Sequence, residues 1–232
     1  DRPGANKAIL SAQETLRIRG HRADMAEANY RAADLALGRG HASTARVWLE
    51  PILPITRSFG LGLVQAEVWR IKMAIATALA DDDAAQAAIA GWDEGYGGDD
   101  AGWKHALVRW HWSQKDVEQA LKAAGSGFSP TYAGTHLAID HAHLLLHCGD
   151  RAGASRVLSP AMELAESQGL ADLRLLANLI AGAIAPEKDG SWAALMKTTR
   201  SNPWMELSLM CLAADGQRSL TMGNQSRARQ IF

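Results

Sequence analysis

In this 232-residue sequence the nearest approach to a chemical constellation is a stripe of histidines. On an α-helix, at about 100° per residue, His136, His143 and His147 fall within about 40° of one another, with Asp140 on the same stripe. His143 and His147 form an i, i+4 pair, the spacing at which two imidazoles share a metal, and Asp140 would act as a third ligand or as an acceptor behind one of them. His136 sits about 10 Å along the axis from His143, too far for both to reach one ion readily. Neither a His-Glu-x-x-His motif nor a cysteine pair supports a metal, so none is expected. The stripe then reads either as a groove surface that binds anions or senses pH, or as packed and solvated histidines.

Other chemistry is weaker. The segment Asp93-Glu94-Gly95-Tyr96-Gly97-Gly98-Asp99-Asp100 is acidic and glycine-rich, but it lacks the ligand alternation and closing Glu of an EF-hand and reads as a loop between helices. There is no phosphate-binding loop, no Gly-x-Ser-x-Gly elbow and no dinucleotide fingerprint. The carboxylates are not placed into an acid/base pair. The expectation is a protein that is not an enzyme and carries no cofactor. Asn224-Gln225-Ser226 is a glycosylation sequon, which has meaning only in a secreted chain.

Composition sets the elements that must position these residues. Alanine and leucine dominate and valine is scarce, a bias that favours an all-α fold. Lys+Arg 24 against Asp+Glu 25 leaves a net charge of -1, which excludes a strongly basic nucleic-acid binder. An apolar share of 47% supplies a core. Cys148 and Cys211 are far apart in sequence and suit a reducing compartment. No apolar run approaches the roughly 18 residues that span a bilayer, so no membrane insertion and a cytoplasmic location are expected. The chain opens Asp1-Arg2-Pro3-Gly4, without an initiator Met or a signal-peptide pattern.

The predicted helices are Lys7–Arg19, Arg22–Gly38, Ala42–Ser58, Leu61–Ala80, Ala84–Trp92, Ala101–Ser113, Val117–Ala124, Pro130–Cys148, Ala152–Ser167, Ala171–Ala185, Trp192–Thr199, Trp204–Met222 and a last one from Gln225. Ser129 is read as an N-cap with Pro130 at the first helical position, and Ser191 as the cap before Trp192. Asn202-Pro203 separates two helices. Pro51 and Pro54 should kink or shorten the Ala42–Ser58 helix.

A ladder of alanines runs through this scheme at Ala45, Ala85, Ala120, Ala154, Ala194 and Ala228, at intervals of 40, 35, 34, 40 and 34 residues. Gly40-His41, Ala80-Asp81, Lys115-Asp116, Gly149-Asp150, Asp189-Gly190 and Gly223-Asn224 precede them. Four residues after each alanine come Leu49, Ile89, Ala124, Leu158, Thr198 and Phe232, all apolar except Thr198. This pattern resembles the tetratricopeptide repeat, with its 34-residue helix–turn–helix period and an alanine where paired helices approach closely. Trp69 and, with one inserted residue, Trp103 match the family's early aromatic; its closing proline is not recovered. The two 40-residue spacings are similar to the looser arrays of bacterial transcriptional activators and signalling proteins.

The resemblance implies an α-solenoid of about six helix–turn–helix pairs over residues 22–232, with residues 1–21 as an N-terminal helix. It also implies a concave groove lined by the first helix of each pair. Glu27, Tyr30 and Asp34 would face it from the first pair, Glu67 and Arg70 from the second, and His105, Arg109 and Trp112 (or His111) from the third. His136, Ile139, His143 and His147 would face it from the fourth. Trp103, Trp110 and Trp112 point to different sides of one helix, so at least one belongs to the core. The expected function is a regulatory scaffold that binds a protein or peptide segment through Arg70, His105, Arg109, Trp112, His136, His143 and His147. The alternative is a small-molecule sensor that binds an inducer of a bacterial regulator. Ile231 and Phe232 would be covered by a following helix in a longer array, so self-association or a further domain beyond the C-terminus is expected.

Overall fold

Helix formers punctuated by left-handed turns set the architecture. The computed structural model describes residues 7, 8, 11, 12, 14–16, 21–58, 62–95, 97, 100–125, 127–186, 192–200 and 205–231, and every regular element among them is a helix. The helices from residue 21 onward are α1 (Arg22–Gly38), α2 (Ala42–Leu49), α3 (Ile52–Ser58), α4 (Gly62–Leu79), α5 (Asp82–Gly95), α6 (Ala101–Ser113) and α7 (Val117–Ala124). They continue as α8 (Tyr132–His147), α9 (Arg151–Ser167), α10 (Ala171–Ile184), α11 (Trp192–Arg200), α12 (Met205–Thr221) and α13 (Gln225–Ile231). Among the described residues no helix is long and apolar enough to cross a membrane.

One turn recurs. Gly40, Ala80, Lys115, Gly149, Gly169 and Gly223 all have positive φ, the left-handed conformation that stops a helix. At five of them the next amide closes a bond to the carbonyl five residues back, as in His41 N to Ala36 O at 2.9 Å and Asp150 N to Leu145 O at 2.9 Å. Ala80 and Lys115 adopt this conformation without being glycine, at a cost of about 1–2 kcal/mol each. The residue after the turn often caps the next helix: Asp81 accepts from Ala84 N, Asp116 from Gln119 N, Asp150 from Gly153 N and Asn224 from Arg227 N, at 2.8–3.1 Å.

Four residues past the cap stands the ladder alanine. Ala45, Ala85, Ala120 and Ala154 are 0% exposed and Ala228 is 2% exposed. Each donates its amide to the cap carbonyl at 3.0–3.1 Å. Ala194 is exposed, and the Asp189-Gly190 junction before it lies outside the described residues, as do Ser191 and Asn202-Pro203.

Prolines act where their missing N–H demands it. Pro51 separates α2 from α3, which divides the predicted Ala42–Ser58 helix, and Pro54 sits in the first turn of α3, where amides have no helical partner. The expected Ser129-Pro130 start is corrected: Thr131, extended at φ -122 and ψ 165, is the cap, its hydroxyl accepting from Gly134 N at 3.0 Å.

The chain divides into two compact units, Asp1–Ser113 and Gln114–Phe232. In the first, α1 pairs with α2 and α4 with α5, while α1 packs on α4 and α4 on α6. Tyr30, Leu49, Ile52, Val68, Ile71 and Ile75 form one cluster; Trp69, Met73, Trp92, Trp103 and Trp110 form another, with Trp92 and Trp103 stacked at 4.6 Å. Gly91 in α5 lies flat against the Trp69 ring, where a Cβ would overlap it. In the second unit α8 pairs with α9, α10 with α11 and α12 with α13, while α8 packs on α10 and α10 on α12. Ile139, Leu146, Leu158, Leu173, Leu179 and Ile180 lie in its core.

Candidate functional site

Two charged and aromatic faces carry the residues singled out by sequence, one in each unit. In the first unit, α1 and α4 bring Asp34, Glu67 and Arg70 together. Arg70 Nε donates to Glu67 Oε2 at 2.8 Å and Nη2 to Asp34 Oδ1 at 3.2 Å. Burial alone would push the Arg70 guanidinium down, but the two carboxylates outweigh it and hold the group above its ordinary value. Arg70 therefore ties one helical pair to the next, and its charge is matched inside the unit. Tyr30 beside it is only 6% exposed, and desolvation pushes its hydroxyl up.

Helix α6 begins with Asp100 accepting from Trp103 N at 2.8 Å, which orients the whole helix. Trp103 and Trp110 face the core, while His105, Arg109, His111 and Trp112 are half-buried along its other sides. His105 Nε2 is shielded from solvent. Arg109 and Trp112 thus bring a cation and an aromatic ring to one helix of the first unit.

In the second unit the stripe on α8 is graded in depth. His136 is half-buried and meets Tyr132 edge-on at 6.3 Å between ring centroids. Asp140 and His143 are withdrawn into the interior at 3% and 6% exposure, and Ile139 is at 0%. His147, in the last turn, is exposed. The Tyr132 hydroxyl donates to Asp172 Oδ2 at 2.6 Å, a tie between the first helices α8 and α10. Among the described residues no three His, Cys, Asp or Glu side chains converge as metal ligands. The faces can therefore offer cations, imidazoles and ring surface to a partner, while the Arg70 triad and the interior of α8 hold the helices that carry them.

Sequence reasoning passed over three titratable residues. Glu50 and Lys72 belong to a cavity in the first unit, and no motif links them because the helices that build it are distant in sequence. His141 lies between His136 and His143, half-buried, and burial pushes its imidazole below the ordinary 6.5. That direction sets a sign. As pH falls through 6.5 the unfolded chain takes up a proton that the folded chain resists, so stability is full above that value and declines toward the lowered folded pKa. Urea titrations between about pH 7.5 and about pH 5.5 should show a smaller loss of stability in His141→Gln than in wild type.

Compared with known protein families, with curated proteins and with solved structures, the chain matches none of them.

Proposed function

We propose that the chain is a tetratricopeptide-like helical-repeat module that binds a protein or peptide segment and performs no covalent chemistry. The observation that carries this reading is the buried alanine that follows five of the six left-handed turns at one fixed distance, at Ala45, Ala85, Ala120, Ala154 and Ala228; after Gly169 an exposed Arg174 takes that place. A local device repeated five times is what a stacked array of helical hairpins requires. The succession of first helices supports it: α1 on α4 on α6 in one unit, and α8 on α10 on α12 in the other. Within the units consecutive helices pack as five pairs, α1 with α2 and α4 with α5 in the first, and α8 with α9, α10 with α11 and α12 with α13 in the second.

On this reading Arg109, His105 and Trp112 supply contacts in the first unit, with Arg70 holding the adjoining carboxylates. His136 and His147 supply them in the second, with His143 supporting α8 from inside. Arg and imidazolium donors suit a carboxylate-bearing segment, and Trp112 suits an apolar side chain beside it. The test is affinity capture from the native lysate with wild type beside Arg109→Glu/His147→Glu. His147 is the residue to reverse because it is exposed and His143 is buried. A protein retained by wild type and lost by the variant, at equal helicity, supports the assignment; equal retention removes these residues from the surface.

A further inference from the structure

A cavity of about 350 Å³ opens in the first unit among α2, α4 and α5. That volume lies in the roughly 300–1,000 Å³ range of small-molecule sites. Its inner wall is apolar, made by Leu49, Trp69, Ile75 and Ala88, all buried. Its charged groups are two of each sign, and they differ in how they are used. Arg46 and Asp81 cancel each other at 2.7 Å, and the Ala84 N–H together with Arg46 holds the Asp81 carboxyl below its ordinary value. Lys72 and Glu50 line the same cavity without forming an ion pair among the described residues.

Lys72 is half-buried with Nζ 5.1 Å from the centre of the Trp69 ring. Burial and the nearby Arg57 push its ammonium down, while Glu50 pulls it up. The Trp69 ring face supports the charge, and the ammonium can still donate its N–H groups to a ligand in the cavity. Trp69 also keeps unused donor capacity, since its Nε1 is shielded from solvent and has no acceptor among the described residues.

We propose that this cavity binds a small zwitterion with an apolar side chain, the class of the apolar α-amino acids. The ligand carboxylate pairs with Lys72 Nζ, its ammonium with Glu50, and its side chain lies against Trp69, Ile75 and Ala88. Glu50 is exposed at the rim and Lys72 half-buried over the Trp69 ring, so a lone anion meets one of these charges and a lone cation the other, whereas a zwitterion meets both. The site is independent of the partner-binding faces, so either reading stands if the other fails.

The test is calorimetric titration of the full chain with L-leucine and L-phenylalanine, each beside its amine lacking the carboxylate and its acid lacking the ammonium. Saturable binding of at least one amino acid is expected, with a loss of about tenfold or more for both of its analogues. Lys72→Met and Glu50→Gln should each weaken that binding by about tenfold or more while keeping wild-type helicity. Absence of binding by both amino acids overturns the proposal. So does an analogue that binds as tightly as its parent. The analogue comparison uses wild-type protein, so it decides the matter even where a variant folds poorly.

Discussion

Ala154→Leu is expected to lower the stability of the chain by about 1–3 kcal/mol, while Ala194→Leu changes it by less than about 0.5 kcal/mol. The two residues occupy equivalent rungs of the sequence ladder but not equivalent places in the structure. Ala154 is 0% exposed at the start of α9, in a cluster with Ala138, Ala142, Leu146 and Leu158. Interiors at crystal-like density cannot accept three more carbons without displacing a helix. Ala194 is exposed on α11, so a larger side chain there meets solvent. Chemical denaturation of the two variants separates the outcomes. Equal effects would mean that the alanine does not set the distance between paired helices.

The second large effect reverses an ordinary rule. Gly→Ala inside a helix usually stabilises by about 0.5–1 kcal/mol, yet Gly91→Ala is expected to destabilise by about 1–3 kcal/mol. The added Cβ would overlap the six-membered ring of Trp69, whose side chain is itself held among Met73, Ala88 and Trp92. At Gly62 an added Cβ meets nothing within 4 Å, so Gly62→Ala should be neutral or mildly stabilising. Replacing Trp69 by leucine removes the obstructing ring. The double variant should therefore lose less stability than the two single losses added together, a coupling that a double-mutant cycle measures. Thermal melts of these variants suffice, and a stabilised Gly91→Ala would contradict the close approach of α4 and α5.

The pattern of these variants shows which parts of the fold were readable from residue order. Five of the turns were, because each is a local event marked by a buried alanine four positions past the cap of the next helix, with an Asp or Asn capping side chain at four of them. The turn at Gly169, with Leu170 and Arg174, carries neither mark. The division at Pro51 was readable for the same reason, since one missing N–H decides it. The start of α8 was misplaced because Ser129 and Thr131 both offer hydroxyls around Pro130, and the extended backbone at Thr131 selects the second.

The candidate site was less readable. Helical angle places His136, His143, Asp140 and His147 on one stripe but does not say how much of it neighbours cover. Helix α8 packs against α7, α9 and α10, and that cover takes Asp140, His143 and Ile139 into the interior and leaves His147 outside. Arg70 was expected beside Glu67 as a contact residue, and sequence order did not show that α1 brings Asp34 to the same guanidinium. Glu50 and Lys72 carry no sequence signal, because their association depends on three helices meeting.

The most direct measurement of the central claim, that these helical faces bind a partner segment, is the affinity of the captured segment for wild type and for Arg109→Glu/His147→Glu. Circular dichroism and melting temperature should be matched between the two proteins. A loss of about tenfold or more in the variant, at unchanged fold, is the predicted result. Equal affinities would contradict it.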